Sequence, residues 1–251
     1  MAGELMNPQK ILAELDSYLH KNDYTSAREY LTKALKRADA LGDNRARVLI
    51  LNEQMGLYRK IGDRENALES VNRALSEIEV MGVAEQVGSA TTYLNCATVY
   101  KAFGNPEMAL TLYRRAQAIY EKALPSTDNR LGGLYNNMAL ALVDLKKFNE
   151  AFVLYEKAIS IMLCNENGAP EAAITYLNKA NALEVQKGLE SACEEIDECL
   201  NKAEALLESH VNRDGNYAFV CEKCAPTFLY YGRFSYSEEI AERSRRIYEG
   251  S

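Results

Sequence analysis

Three seven-residue stretches decide the fold: GDRENAL at 62–68, GNPEMAL at 104–110 and KKFNEAF at 146–152. Each carries a small residue in its sixth position, and these residues, Ala67, Ala109 and Ala151, lie 42 apart. Weaker copies centre on Ala27, Ala192 and Ser237, so successive intervals run from 40 to 45 residues. A near-constant period of about 42 marks a supersecondary unit that is repeated and stacked.

Other columns keep the same phase. Seven residues after each small residue comes another: Ala34, Ala74, Ala116, Ala158, Cys199 and Ser244. Between them stand Leu31, Val71, Tyr113, Tyr155, Ile196 and Ala241. Nine residues before the first column lies an aromatic or a leucine: Tyr18, Tyr58, Tyr100, Leu142, Leu183 and Phe228. Spacings of 4, 7 and 11 put such residues on one helical stripe, so each unit reads as two antiparallel helices. The small columns let two backbones approach, and the larger residues fill the neighbouring holes. Asp63 and Asn105 suit the N-cap of a second helix, and Pro106 suits its first position.

This pattern resembles the tetratricopeptide repeat. The period exceeds that repeat's common length, and in this respect, and in the segment Leu134-Tyr-Asn-Asn-Met-Ala139, the chain is similar to the kinesin-light-chain type. The resemblance implies an all-α fold, a right-handed α-solenoid superhelix of about six helix pairs, or about twelve helices. It predicts a single domain over 1–251, with units near 8–42, 44–82, 84–124, 127–166, 169–210 and 214–250. The first helix of each pair is then expected to line a concave face.

Composition agrees with a helical chain. Only 14 Gly and 5 Pro occur among 251 residues, whereas 32 Ala and 30 Leu do. The formal net charge is −7, which argues against a general nucleic-acid binder. No apolar run is long enough to span a membrane, and Met1 to His20 does not read as a secretory leader. Six cysteines scattered over this length suit free thiols in a reducing, cytoplasmic setting. Residues 164–210 hold ten acids against three bases, a local excess equal to that of the whole chain.

The most pointed functional signal is a column of asparagines. Asn95, Asn137 and Asn178 share one repeat position; Asn52 and Asn136 lie one position earlier in their units, and Asn181 lies three residues beyond Asn178. A carboxamide both donates and accepts, so a row of them can grip the backbone of an extended peptide. The resemblance implies peptide binding by such residues. A second reading stays open, in which each Asn bonds a neighbouring repeat. The same register adds Arg59, Lys101, Leu94, Leu140, Leu177 and Glu184 to the groove. Family members that clamp the two carboxylates of a chaperone tail need Lys and Asn early in the array and a Lys/Arg pair later, and at the early positions this chain has Leu12 and Asp16.

Two further clusters stand out. Cys221 and Cys224 form a Cys-x-x-Cys pair, but a zinc site needs four ligands and a second pair is absent, so packing is expected and no metal or other cofactor. Tyr217, Phe219, Phe228, Tyr230, Tyr231, Phe234 and Tyr236 gather in the last unit, where an aromatic end could support self-association. Phosphate-binding glycine loops, Gly-x-Ser-x-Gly elbows and His-Glu-x-x-His are all missing, so no enzyme is expected. The reading is a scaffold that binds a protein or peptide segment in its concave groove. The alternatives are the sensor part of a peptide-signalling system and a self-assembling structural protein.

Overall fold

The link inside each helix pair shows how the chain reverses. In a computed structural model, which describes residues 5–250, the first helix of five pairs is followed, two or three residues on, by a residue with positive φ: Asn22, Gly62, Gly104, Lys146 and Gly232. The next amide then donates back to the carbonyl of the aromatic column, as in Asp63 to Tyr58 (2.8 Å), Asn105 to Tyr100 (2.9 Å) and Arg233 to Phe228 (2.9 Å). That bond closes the first helix, and the donor residue becomes the N-cap of the second. Asp23 and Asp63 accept from the amides of Ser26 and Asn66, and Asn105 accepts from Met108.

Twelve helices and no strand occur among the described residues. The chain divides into two compact units, the first ending at Ala123 and the second beginning at Leu124. Residues 1–4 and 251, the extremities of the predicted 1–251 array, lie outside the described residues.

The first unit contains α1 (Pro8–Leu19), α2 (Tyr24–Leu41), α3 (Asn44–Lys60), α4 (Arg64–Val80), α5 (Val87–Ala102) and α6 (Pro106–Ala123). Its helices pack in sequential pairs; α1, α3 and α5 also lie side by side, while α2 packs on α3 and α4 on α5. The second unit contains α7 (Asn129–Asp144), α8 (Phe148–Leu163), α9 (Ala169–Lys187), α10 (Cys193–Ser209), α11 (Gly215–Tyr230) and α12 (Phe234–Glu249). It repeats the plan: α7 and α11 flank α9, and α8 packs on α9.

The small columns are buried because helices cross on them. Ala27, Ala67, Ala109, Ala151, Ala74, Ala116 and Ala158 are wholly buried, as are the larger fillers Leu31, Val71, Tyr113 and Tyr155. A Cβ in place of the glycine at 132 would come within 3.1 Å of the Met162 side chain, so α7 and α8 meet at near-backbone distance. Each unit thus builds its core from the repeat columns, and first helices lie next to first helices. Side chains on their outer faces share one surface within a unit.

Candidate functional site

The asparagines divide into bridging and unbridged groups. In the first unit, Asn52 on α3 turns its amide into the helix, donating to the Val48 carbonyl (2.7 Å), and also donates to the Thr92 hydroxyl on α5 (3.1 Å). Its carbonyl oxygen accepts from Asn95 Nδ2 on α5 at 2.8 Å. In the second unit, Asn136 on α7 accepts from Asn178 Nδ2 on α9 at 3.0 Å. Both bridges join an Asn of one repeat to the Asn one register step later in the next. The one-residue offset of Asn52 and Asn136 in the sequence is therefore the signature of a bridge between adjacent first helices. Four of the six predicted residues act in this way.

Asn137 behaves differently. It is half-buried on α7, next to the bridging Asn136, and its side chain makes no hydrogen bond among the described residues. It lines a cavity of about 330 Å³ between α7 and α9, together with Arg130, Asn136, Met162, Glu171 and Ile174. Glu171, in the first turn of α9, is half-buried and forms no ion pair among the described residues. Burial pushes its carboxyl above the usual carboxylate range. Arg130 is held by Asp128, with Nη2 2.7 Å from the carboxylate, and that contact lowers Asp128 to a pKa of about 2. The cavity therefore presents a free carboxamide and an uncompensated carboxylate above an apolar floor of Met162 and Ile174. Such a surface can hydrogen-bond a backbone and attract a cation.

Asn181 lies farther along α9, exposed, and its Oδ1 accepts from the Tyr231 hydroxyl (3.0 Å). Glu184 accepts from Tyr230 and Tyr231, at 2.7 Å each. These contacts tie the end of α9 to the end of α11. Tyr230 is still 66% exposed, as is Phe234, while Tyr217 and Phe228 are fully buried. The aromatic cluster is thus split among core, groove rim and open surface.

Other predicted groove residues are placed as follows. Arg59 is exposed in the last turn of α3, and Lys101 is half-buried in the last turn of α5. Leu177 is a correction: it is 3% exposed and belongs to the core around α10 and α11, not to the groove. Its helix α9 is buried on several sides, so one register step moves a side chain from surface to core. Cys221 and Cys224 are buried, and desolvation raises both thiols above the ordinary value, a setting that disfavours thiolate chemistry. No group of three or more metal-ligating side chains occurs among the described residues. No described helix is long and apolar enough to cross a membrane.

The acidic stretch is partly neutralised by its surroundings. On α10, Glu195 pairs with Lys187 (2.5 Å), Glu198 with Lys202 (2.6 Å), Asp197 with Arg233 (3.2 Å) and Glu208 with Arg243 (2.8 Å). Two of these four bases come from the last helix pair. Glu171 was not singled out in the sequence, because it stands among ten acids in that stretch and only packing distinguishes it from them.

Comparison with known proteins agrees with the fold. Three profiles described as tetratricopeptide repeat match residues 14–40, 56–122 and 132–162. No curated protein matches the sequence significantly. Among solved structures, BtubC (BKLC) from P. vanneervenii shares 22% identity over 81% of this chain and 82% of its own, with a TM-score of 0.68. A Podosopora anserina protein with nearly identical TPR-like repeats, described as a kinesin light chain, shares 18% identity over 78% of this chain and 92% of its own, with a TM-score of 0.55 or less. A Rap protein complexed with Competence and Sporulation Factor shares 15% identity over 97% of this chain and 64% of its own, with a TM-score of 0.59.

Proposed function

Because this chain is a tetratricopeptide-repeat protein, we propose that it is a protein-interaction scaffold that holds an extended peptide segment against the faces of its first helices. The finer proposal concerns the α7–α9 cavity. There Asn137 grips the backbone of the segment and Glu171 pairs with a Lys or Arg side chain.

The observation that carries this reading is a pair of polar side chains over one cavity, Asn137 and Glu171, that no described protein side chain pairs. A half-buried carboxylate lacking a partner is unfavourable in the free protein. Its persistence beside an open carboxamide fits a site completed by a ligand. A peptide cation would supply the missing charge, and a backbone amide or carbonyl would supply the hydrogen bonds. The asparagine bridges keep the neighbouring helices in register and so preorganise the surface. Free thiols suit a reducing, cytoplasmic setting for this work.

A second occupant of the same site is a free peptide signal rather than a segment of a larger partner. The Rap structure complexed with Competence and Sporulation Factor makes that worth testing. One experiment serves both. Peptides selected from a random library against the wild-type protein should be enriched in Lys or Arg at one position. Asn137→Ala and Glu171→Gln should each weaken the selected peptide about tenfold or more. Selection without a basic position, or affinities unchanged by both substitutions, would contradict the assignment.

A further inference from the structure

We propose that the outer face of α12 is a self-association surface on which a second copy of this chain docks antiparallel, α12 against α12. It is separate from the peptide cavity and does not depend on it.

In the second helices of three earlier pairs, the positions four, eight and eleven residues past the small column form one largely buried stripe, and two of these helices, α4 and α8, pack on the first helix of the next pair. In α8 the stripe is Tyr155, Ile159 and Met162; in α10 it is Ile196, Leu200 and Ala203; in α4 it is Val71, Leu75 and Ile78. These side chains are apolar, and all except the half-buried Leu75 are buried. The same register in α12 reads Ala241, Arg245 and Tyr248, preceded by Glu238. The Arg245 side chain is 61% exposed, Tyr248 is 51% exposed and Glu238 is exposed. Glu238 forms no ion pair among the described residues, while Arg245 and Arg246 both reach Glu242. Glu238, Ala241 and Arg245 line one edge of a groove of about 820 Å³, whose other side is formed by Glu239, Glu242 and Arg246. Another repeat of the same apolar kind would bury Arg245 on docking, which opposes that occupant.

The order of the residues suits a second copy. Glu238 and Arg245 lie two helical turns apart on one side of α12. A two-fold axis passing between Ala241 and Glu242 sets each Glu238 opposite the second copy's Arg245. The contact is isologous, so it supplies that ion pair twice. Ala241 lies beside the axis, where a small side chain lets the helices approach. The exposed ring of Phe234 falls beside the second copy's Tyr248, which adds apolar contact at both ends.

Sedimentation equilibrium across the micromolar range tests this directly. The wild-type mass should climb from 28.1 kDa toward twice that value. Glu238→Arg and Arg245→Glu should each weaken the dimer about 100-fold, because each places like charges opposite one another twice. The double exchange, Glu238→Arg with Arg245→Glu, restores opposite charges and should recover wild-type association. Both positions are exposed, so circular dichroism should be unchanged in all three variants. A wild-type protein that stays at 28.1 kDa overturns the proposal. So do single variants that dimerise like wild type, or a double exchange that fails to recover.

Discussion

The Asn95–Asn52 and Asn178–Asn136 bonds give chemically identical side chains opposite jobs from that of Asn137. Removing a bridging amide leaves its partner short of a hydrogen bond between helices, and Asn178→Ala should lower the urea-unfolding free energy by about 1 kcal/mol. Asn137→Ala breaks no such bond and should change stability by less than about 0.5 kcal/mol. Binding experiments therefore read most cleanly at Asn137, whereas substitution of all three column residues would mix a stability loss with a binding loss. Glu171 makes a second prediction, through pH. Its folded-state pKa is raised by burial, so its contribution to stability is greatest below the unfolded carboxylate pKa and falls as pH rises through the folded value. Glu171→Gln should lose that fall and be the more stable protein at neutral pH. Denaturant titrations at pH 4 and pH 7 check this; a wild-type stability difference between them that survives unchanged in the variant would contradict it.

Among the elements, the links within five of the pairs share one geometry but not one residue, Asn22 holding the position in the first pair. Gly62, Gly104 and Gly232 occupy the positive-φ position in three pairs, and Lys146 occupies it in the fourth, at φ +58°. A side chain there meets the following carbonyl, which glycine avoids. Lys146→Gly should stabilise the second unit by up to about 1 kcal/mol, and Gly104→Ala should destabilise the first by a similar amount. Thermal unfolding of the two variants measures both signs. These links were readable in the sequence, since a turn residue followed by Asp or Asn recurs in phase with the small columns. So were the helices and most of the core, because spacings of 4, 7 and 11 fix which residues share a face. The division of labour among the asparagines was less accessible. Their one-residue offset was visible, but whether an amide reaches its neighbour depends on how adjacent helices are set against each other. Leu177 shows the same limit: a column position on α9 reads as groove by register and is buried, because α9 contacts helices on several sides. Glu171 was hidden for a different reason, as burial rather than residue type makes it distinctive.

For the molecule as a whole, repetition makes stability local. Each helix pair contacts mainly the next within its unit, so protection should follow the number of neighbours a helix has. In the second unit, α9 is flanked by α7 and α11, packs on α8 and pairs with α10, whereas α12 packs chiefly on α11. Amide hydrogen exchange should therefore be slowest in α9 and faster in α12, with dimerisation slowing α12 selectively at high concentration. The net charge of −7 also has a structure: Asp197 and Glu208 of α10 are met by Arg233 and Arg243 from the last pair, while Glu171 forms no ion pair at the cavity among the described residues. The central claim is that this cavity holds an extended, basic-residue-bearing segment, and hydrogen exchange of the protein with and without a selected peptide tests it most directly. Binding should slow exchange in the cavity-forming portions of α7 and α9, around 129–137 and 171–178, in the wild type and much less in Glu171→Gln. Slowing confined to α8 and α10, or equal slowing in both proteins, would contradict it.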